Sequence, residues 1–186
     1  MSEKEQLRKA LKEKRKSLSA AEVDEKSSVA AKIFLESDVY KKASTIMLYM
    51  PIQNEVDTSR IIDRAFMDKK QLVFPVTDRE SGVITPYLAE DKTEFKKGAF
   101  SVPEPALRKE ISFEEIDVIL VPGIVFDKSG NRIGFGKGCY DLFLCKCNAL
   151  KTGVCYEFQL FDKIPADEHD IKMDYILTEA GFRVIE

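Results

Sequence analysis

The segment with the most chemical potential runs from Gly130 to Asp141 and reads Gly-Asn-Arg-Ile-Gly-Phe-Gly-Lys-Gly-Cys-Tyr-Asp. It contains four of the nine glycines of the chain. Glycines let successive backbone N–H groups point into one concavity, which suits a phosphate. Lys137 and Arg132 would add cations, and Asp141 could hold Mg²⁺ beside phosphate oxygens. The segment therefore predicts a phosphate-binding nest, with a flexible glycine turn carrying incidental charges as the alternative.

Two common nucleotide-binding motifs do not fit this segment. In a P-loop, Asn131 would stand at the first glycine position, and Gly138 would replace the Ser or Thr that follows the lysine. In a dinucleotide-binding motif, Cys139 would stand where the third glycine belongs. The segment thus predicts phosphate binding without implying either of those folds.

The elements that must position this segment follow from hydrophobic periodicity. Ser2 with Glu5, and Ser19 with Glu22, have the spacing of capping boxes and predict two N-terminal helices. Further helices are expected around residues 61–66 and over 140–147, and hairpin strands around Gly82. Apolar runs predict strands at 45–50, 71–75, 116–121, 153–156 and 175–178.

Alternating helices and strands indicate an α/β fold, and continuously apolar strands indicate a sheet covered on both faces. We therefore expect a single domain over residues 1–186, a three-layer α/β/α arrangement with a largely parallel sheet. The glycine segment follows the strand 116–121, and the carboxyl ends of such strands are where ligands bind in these folds.

Composition excludes several classes of protein. The 186 residues are 44% hydrophobic and 33% charged, with a net charge of −3, which argues against a nucleic-acid partner. There is no apolar run long enough for a membrane span and no secretory signal pattern. The four cysteines lack paired spacing and the one histidine, His169, is expected to be a loop residue. We expect a cytoplasmic protein with reduced thiols and no zinc, as a monomer or weak homodimer.

Two long pieces resemble a known family. Val121-Pro-Gly-Ile-Val-Phe-Asp127 and the residues from Gly130 to Leu144 closely resemble the 5-formyltetrahydrofolate cyclo-ligases, also called methenyltetrahydrofolate synthetases. Shorter pieces, at Lys4 and Arg8, at 50–58 and at 165–174, resemble further segments of the family and occur in the same order along the chain. The resemblance spans nearly the whole chain, although it is weak from about residue 78 to 115.

The resemblance implies an activity and a fold. The family converts 5-formyltetrahydrofolate to 5,10-methenyltetrahydrofolate, consuming ATP with Mg²⁺ and releasing ADP and phosphate; the substrate can carry a polyglutamate tail. Its fold is similar to that of sugar-phosphate isomerases and CoA transferases. By resemblance, Lys137 and Arg132 would be catalytic and Asp141 and Asp174 would bind Mg²⁺. The implied ATP contacts are Lys4, Arg8, Arg132, Gly134, Phe135, Gly136, Lys137, Gly138 and Tyr140. The implied folate contacts are Met50, Glu55, Phe135, Gly136, Lys137, Gly138 and Cys139.

One position departs from the family pattern. Two aromatic residues usually precede the aspartate, whereas this chain has Cys139-Tyr140-Asp141. A thiol cannot stack on a pterin as a tyrosine ring can, so the departure affects that edge of the folate pocket and leaves the phosphate chemistry untouched.

Without the resemblance, several residues have simpler interpretations. Lys4 and Arg8 share a helix face with many other basic residues and could be solvated. Met50 could be a core residue, Glu55 a loop or helix-cap acid, and Asp174 the partner of a structural arginine. Tyr140 could stack on adenine or pack the start of its helix.

Two other functions also fit parts of the chain. A sugar-phosphate isomerase would act without ATP and needs a base beside a carbon acid. An RNA-binding module would grip its ligand with the basic residues 1–18.

Overall fold

The computed structural model describes residues 1–90, 95–98, 102–106 and 109–186. The helices are α1 (Glu3–Lys16), α2 (Ala20–Glu36), α3 (Asp38–Lys42), α4 (Ser59–Met67) and α5 (Cys139–Leu144). The strands are β1 (Thr45–Met47), β2 (Gln71–Thr77), β3 (Ile84–Ala89), β4 (Phe95–Lys97), β5 (Pro103–Pro105), β6 (Val118–Pro122), β7 (Val125–Asp127), β8 (Arg132–Ile133), β9 (Leu150–Val154), β10 (Leu160–Phe161), β11 (Tyr175–Thr178) and β12 (Gly181–Val184).

The main sheet has seven strands in the order β12-β11-β9-β6-β1-β2-β3. The five inner strands, from β11 to β2, run parallel to one another. The edge strands β3 and β12 are antiparallel to their neighbours. The expected largely parallel sheet is confirmed, and because its inner strands are parallel their carboxyl ends lie along one edge.

Helices cover both faces of this sheet, as the continuously apolar strands predict. Side chains alternate along β1 and its extension, so Ile46 and Leu48 pack with α2, α3 and α4 on one face. Met47 points the other way and packs with Phe143 and Leu144 of α5. The expected three-layer arrangement is therefore what the chain adopts.

The predicted starts of the first two helices are confirmed. At α1, the Ser2 hydroxyl accepts from the Glu5 N–H at 3.3 Å, and the Glu5 carboxylate accepts from the Ser2 N–H at 2.8 Å. Ser19 and Glu22 make the same reciprocal pair at α2. The predicted hairpin is also present, with β2 and β3 joined by a turn in which Gly82 has φ 72°.

A second, three-stranded sheet in the order β10-β7-β8 was not predicted. Its strands are only two or three residues long, which is too short for periodicity to be visible in the sequence. The glycine segment therefore does not follow 116–121 directly, since β7 comes between them and β8 lies within the segment. Helix α1 packs on this small sheet through Leu11, which lies in one cluster with Val125 and Ile133.

Within the described residues, the structure has no helix with the length and apolar character that a bilayer span requires.

The ring of Phe126 lies over Gly153 of β9, and a Cβ at that glycine would come 2.5 Å from the ring and 2.8 Å from Ile176. Gly153→Ala should therefore lower the free energy of unfolding by about 1–3 kcal/mol, because the packed core must shift. Urea unfolding would measure the loss. Val184→Ala, on the edge strand at 67% exposure, should change stability little. Equal stability of both variants would contradict this packing.

Candidate functional site

A cleft of about 590 Å³ opens at the carboxyl ends of β1, β2 and β6. Tyr49 and Met50, which follow β1, and Pro122, which ends β6, line its floor. The start of α1 and the glycine segment form its walls. The residues that the sequence proposed and that line this cleft are Lys4, Arg8, Met50, Glu55, Arg132, Gly134, Phe135, Gly136, Lys137, Gly138, Cys139, Tyr140 and Asp141.

The glycine segment divides into two parts with different tasks. Gly130, with φ 84°, belongs to the β7–β8 turn, where a Cβ would come 2.7 Å from the carbonyl oxygen of Met173. The cleft is lined only by the later part, from Arg132 to Asp141. Gly136 and Gly138 have φ values of 102° and 67°, which favour glycine. The part of the predicted nest that lies at the cleft is therefore residues 134–138, just before α5.

Arg132 crosses the glycine segment on its way to Asp141. Its Nη2 donates to Asp141 Oδ1 at 3.1 Å, and its guanidinium lies 5.5 Å from the ring centre of Tyr140. A Cβ at Gly134 would come 2.6 Å from Arg132 Nη1, so the guanidinium would have to shift to accommodate a side chain there. Arg132 is only 6% exposed, and its Nε has no hydrogen-bond partner within the described residues. It is therefore a fixed, paired cation rather than a mobile one.

Lys4 and Arg8 face the cleft instead of solvent. Lys4 Nζ lies 2.7 Å from both Asp167 Oδ2 and Asp170 Oδ2, and Arg8 Nε donates to the carbonyl oxygen of Gly134 at 2.9 Å. Burial alone would lower the pKa of Lys4, but the hydrogen bonds that Lys4 donates to the two aspartates raise it above its usual value. Lys4 is therefore a firmly protonated cation in the wall of the cleft.

Asp174 does not lie with Asp141 as the sequence proposed. It stands just before β11, where its Oδ2 accepts from the Lys151 N–H at 2.7 Å and lies 3.8 Å from Lys151 Nζ. It is not among the residues that line the cleft. Asp174 is therefore paired with Lys151 of β9. It lies away from the cleft because the start of β11 is at the amino ends of the parallel strands, whereas the cleft is at their carboxyl ends.

Asp170 lines the cleft although the sequence analysis did not select it. Burial raises the pKa of its carboxyl, but hydrogen bonds from the Asp167 N–H and Lys4, together with the charge of Arg132, bring the pKa below its usual value. The segment 165–174 contains both Asp170 and Asp174, and the sequence alone does not say which of the two reaches the cleft. Within the described ranges, no three His, Cys, Asp or Glu side chains form a closed metal-binding cluster.

Glu55 is a buried acid at the other end of the cleft, only 5% exposed. Its Oε2 accepts from the Ile52 N–H at 3.1 Å, and its Oε1 lies 3.4 Å from Nη1 of Arg15. Burial raises the pKa of Glu55 to about 7, and the charge of Arg15 limits that rise. Near neutral pH this carboxylate can ionise and accept two hydrogen bonds from a ligand.

Cys139 lies under the tip of the β2–β3 hairpin. A Cβ on Gly82 would come 3.2 Å from its Sγ, so the hairpin approaches the thiol closely. Tyr140 is partly buried and packs with α5 while it also lines the cleft, and burial raises the pKa of its phenol. His169 is in an exposed turn outside the cleft lining.

Comparison with known proteins agrees with this arrangement. Residues 1–179 match the model of the 5-formyltetrahydrofolate cyclo-ligase family. The mouse 5-formyltetrahydrofolate cyclo-ligase is 30% identical, covering 96% of this chain and 94% of its own. The solution structure of Aquifex aeolicus 5,10-methenyltetrahydrofolate synthetase has a TM-score of 0.90 at 34% identity, covering 100% of this chain and 94% of its own. The Mycoplasma pneumoniae synthetase has a TM-score of 0.78 at 27% identity, with 96% and 99% covered.

The raised pKa of Glu55 has a consequence for stability. The pKa of Glu55 is higher in the folded protein than the usual 4.5, so protonation of this carboxyl stabilises the folded state. This stabilisation is complete below about pH 4.5 and is lost as pH rises through about 7. Relative to the wild type, Glu55→Gln should therefore gain up to about 3 kcal/mol of unfolding free energy between these pH values.

Urea unfolding of both proteins across this pH range would measure the change. The matched control is Glu25→Gln, at an exposed position of α2. Its difference from the wild type should not vary in this way, and a flat difference for Glu55→Gln would contradict the assignment.

Proposed function

Since the chain belongs to the 5-formyltetrahydrofolate cyclo-ligase family, we propose that its cleft binds ATP and 5-formyltetrahydrofolate together and uses ATP to drive ring closure. The observation that carries this proposal is the distribution of charge in the cleft. Lys4 and Arg8 come to the cleft from the first half of α1, whereas the buried acid Glu55 lies beside Arg15, near the end of that helix. A triphosphate suits the end with Lys4 and Arg8, and the amino-pyrimidine edge of a pterin suits the end with Glu55.

The reaction needs activation because a formamide is a poor electrophile and its oxygen is a poor leaving group. Transfer of the γ-phosphoryl group of ATP to the formyl oxygen solves both problems and releases ADP. N10 of the folate then attacks the formyl carbon and loses its proton, the C–O bond to the phosphorylated oxygen breaks, and inorganic phosphate leaves. The nucleophile belongs to the substrate, so positioning and charge neutralisation are the tasks of the protein.

The basic residues divide these tasks. Lys137 and Arg132 would stabilise the negative charge on the phosphoryl group during its transfer, and the backbone of residues 134–138 would surround that group. Lys4 and Arg8 would hold the remaining phosphates. Lys4 is already bound by two carboxylates, so a phosphate would take over a contact that an aspartate makes in the free protein.

Mg²⁺ is part of the proposal, and Asp141 and Asp170 are the residues that would hold it. Both line the cleft, and both are near the charge of Arg132. Two carboxylates together with phosphate oxygens are the donor set that Mg²⁺ prefers. When bound, it would neutralise charge on the phosphates. Asp174 is not retained in this role, because its carboxylate is engaged with Lys151.

At the folate end, Glu55 would accept two hydrogen bonds from the pterin, with Met50 against the ring. Phe135, which is 40% exposed at the cleft wall, adds an aromatic surface. The edge that a second aromatic residue would cover is bordered here by Cys139 and the hairpin tip. The folate therefore meets one fewer ring than in the usual family pattern.

Incubation of the protein with 5-formyltetrahydrofolate and Mg-ATP should yield a methenyl product that absorbs in the near ultraviolet, together with equimolar ADP. Lys137→Ala should lower kcat about a hundredfold or more, because a charge aimed at the transferred group is lost. The control Lys146→Ala changes an exposed lysine beyond α5 and should leave the rate unchanged. If the wild type forms no product, or if Lys137→Ala is fully active, the proposal fails.

The metal assignment predicts an order among three aspartates. Asp141→Asn and Asp170→Asn should raise the free Mg²⁺ concentration needed for half-maximal rate by about tenfold or more, since each removes a charged ligand. Asp174→Asn should leave that concentration unchanged. A Mg²⁺ titration of the rate for each variant makes the comparison. The reverse order, with Asp174 required and Asp170 dispensable, would restore the assignment made from sequence.

A further inference from the structure

Arg15 is a buried cation near the end of α1, whose other lysines and arginines are partly or fully exposed. It is 1% exposed, whereas its neighbours Lys14 and Lys16 are exposed to solvent. Burial of a charge is costly unless the charge is paired, so its position calls for an explanation. Its residue type alone does not distinguish it from the lysines and arginines around it.

The guanidinium of Arg15 joins the loop after β1 to the end of β6. Its Nε donates to the carbonyl oxygen of Gln53 at 3.0 Å, and its Nη1 donates to that of Gly123 at 3.2 Å. The same Nη1 lies 3.4 Å from Glu55 Oε1. Asn54 closes the arrangement from the loop side, donating from Nδ2 to the carbonyl oxygen of Arg15 at 3.2 Å.

We propose that Arg15 is a positioning residue for folate recognition, which orients the Glu55 carboxylate and places a positive charge beside it without touching the substrate. This inference rests on the function proposed above, because it assigns the work of Arg15 to the folate end of the cleft. Arg15 is not among the residues that line the cleft. The ring of Phe135, centred 5.7 Å from its guanidinium carbon, does line the cleft.

The two oxygens of Glu55 are held from different sides. Arg15 approaches Oε1, and the Ile52 N–H donates to Oε2. Both contacts come from the protein interior or its backbone, so the orientation of the carboxylate is set before a ligand arrives. Preorganisation of this kind lowers the cost of binding, because the side chain need not be ordered by the substrate.

The other titratable groups that face Glu55 are phenols. Tyr49 follows β1, Tyr140 begins α5, and Tyr156 follows β9 and donates from its hydroxyl to the carbonyl oxygen of Glu55 at 3.2 Å. Burial raises the pKa of each phenol, so all three are neutral in the range where Glu55 titrates. Among the described residues, the positive charge that acts on this carboxylate is that of Arg15.

A purely structural role explains these contacts less well. Buried ion pairs contribute little to stability compared with apolar residues of similar volume. Arg15 Nη2 also has no hydrogen-bond partner within the described residues, so the burial of the guanidinium is only partly compensated. A group retained in this condition is better explained by what it does to Glu55 than by the stability it adds.

Arg15→Met tests the proposal through the pH dependence of kcat/KM for 5-formyltetrahydrofolate. In the wild type this parameter should rise as Glu55 ionises around pH 7. Without the cation, the rise should move to higher pH by about one unit or more, with about a tenfold loss of kcat/KM at pH 7. The KM for ATP should stay as in the wild type, because the phosphate end of the cleft is unchanged.

Two further variants separate charge from fold. Arg15→Lys keeps the charge and loses the forked contacts to Gln53 and Gly123, so it should restore the wild-type pH position with only part of the folate affinity. This variant also decides the question if Arg15→Met does not fold. Lys16→Met changes the next residue, whose side chain is 53% exposed and lies 3.5 Å from Glu13, and should leave both KM values unchanged.

An inactive wild type would overturn the proposed function itself. An active wild type with an unshifted pH profile in Arg15→Met, or with equal losses for ATP and folate, would overturn only the role of Arg15. If Arg15→Met does not fold, a displaced pH profile in Arg15→Lys would overturn it as well, since that variant retains the charge.

Discussion

The packing of α1 against the small sheet is the contact on which the cleft depends. Leu11 is 7% exposed and lies in a cluster with Val125 and Ile133 of the β7–β8 hairpin. On either side of it, Arg8 donates to the carbonyl oxygen of Gly134 and Arg15 to that of Gly123. Residues far apart in the chain therefore meet along one line, and the cleft has this wall only when α1 is docked.

Three ion pairs along the cleft follow from a single physical constraint. Lys4 with Asp170, Arg132 with Asp141, and Arg15 with Glu55 each bring a cation out of bulk water together with an acid. Unpaired charges at such depth would be costly, so each cation of the site, which we propose binds phosphates and a pterin, already has its own counter-ion. On the proposed function, a phosphate that binds here would replace a carboxylate as the partner of a cation.

Much of the architecture could be predicted because it rests on strong local signals. Two capping boxes, continuous apolar strands and the hairpin at Gly82 were all visible in the sequence and are present. The β7–β8 hairpin could not be predicted, since its strands are too short to show a period and are held by tertiary contacts. Because of this hairpin, Gly130 belongs to a turn and not to the predicted nest.

The lining of the cleft was predictable up to the choice between similar residues. Asp170 and Asp174 are four positions apart, and only the path of the chain before β11 decides that the first reaches the cleft. Arg15 was hidden among basic neighbours of the same type. A signal existed for it, because Lys4, Arg8, Leu11 and Arg15 are spaced by four, three and four residues, which places them on one helix face.

Because of that spacing, the length of α1 sets the distance between the residues at the two ends of the site. At about 1.5 Å per residue, the helix separates the backbone positions of Lys4 and Arg15 by roughly 16 Å, which fixes how far apart the two ends of the cleft lie. One residue inserted or removed between them would turn one end by about 100° relative to the other, and either Lys4 or Arg15 would leave its partners. The length of this stretch of helix is thus under a tighter constraint than most of its surface side chains.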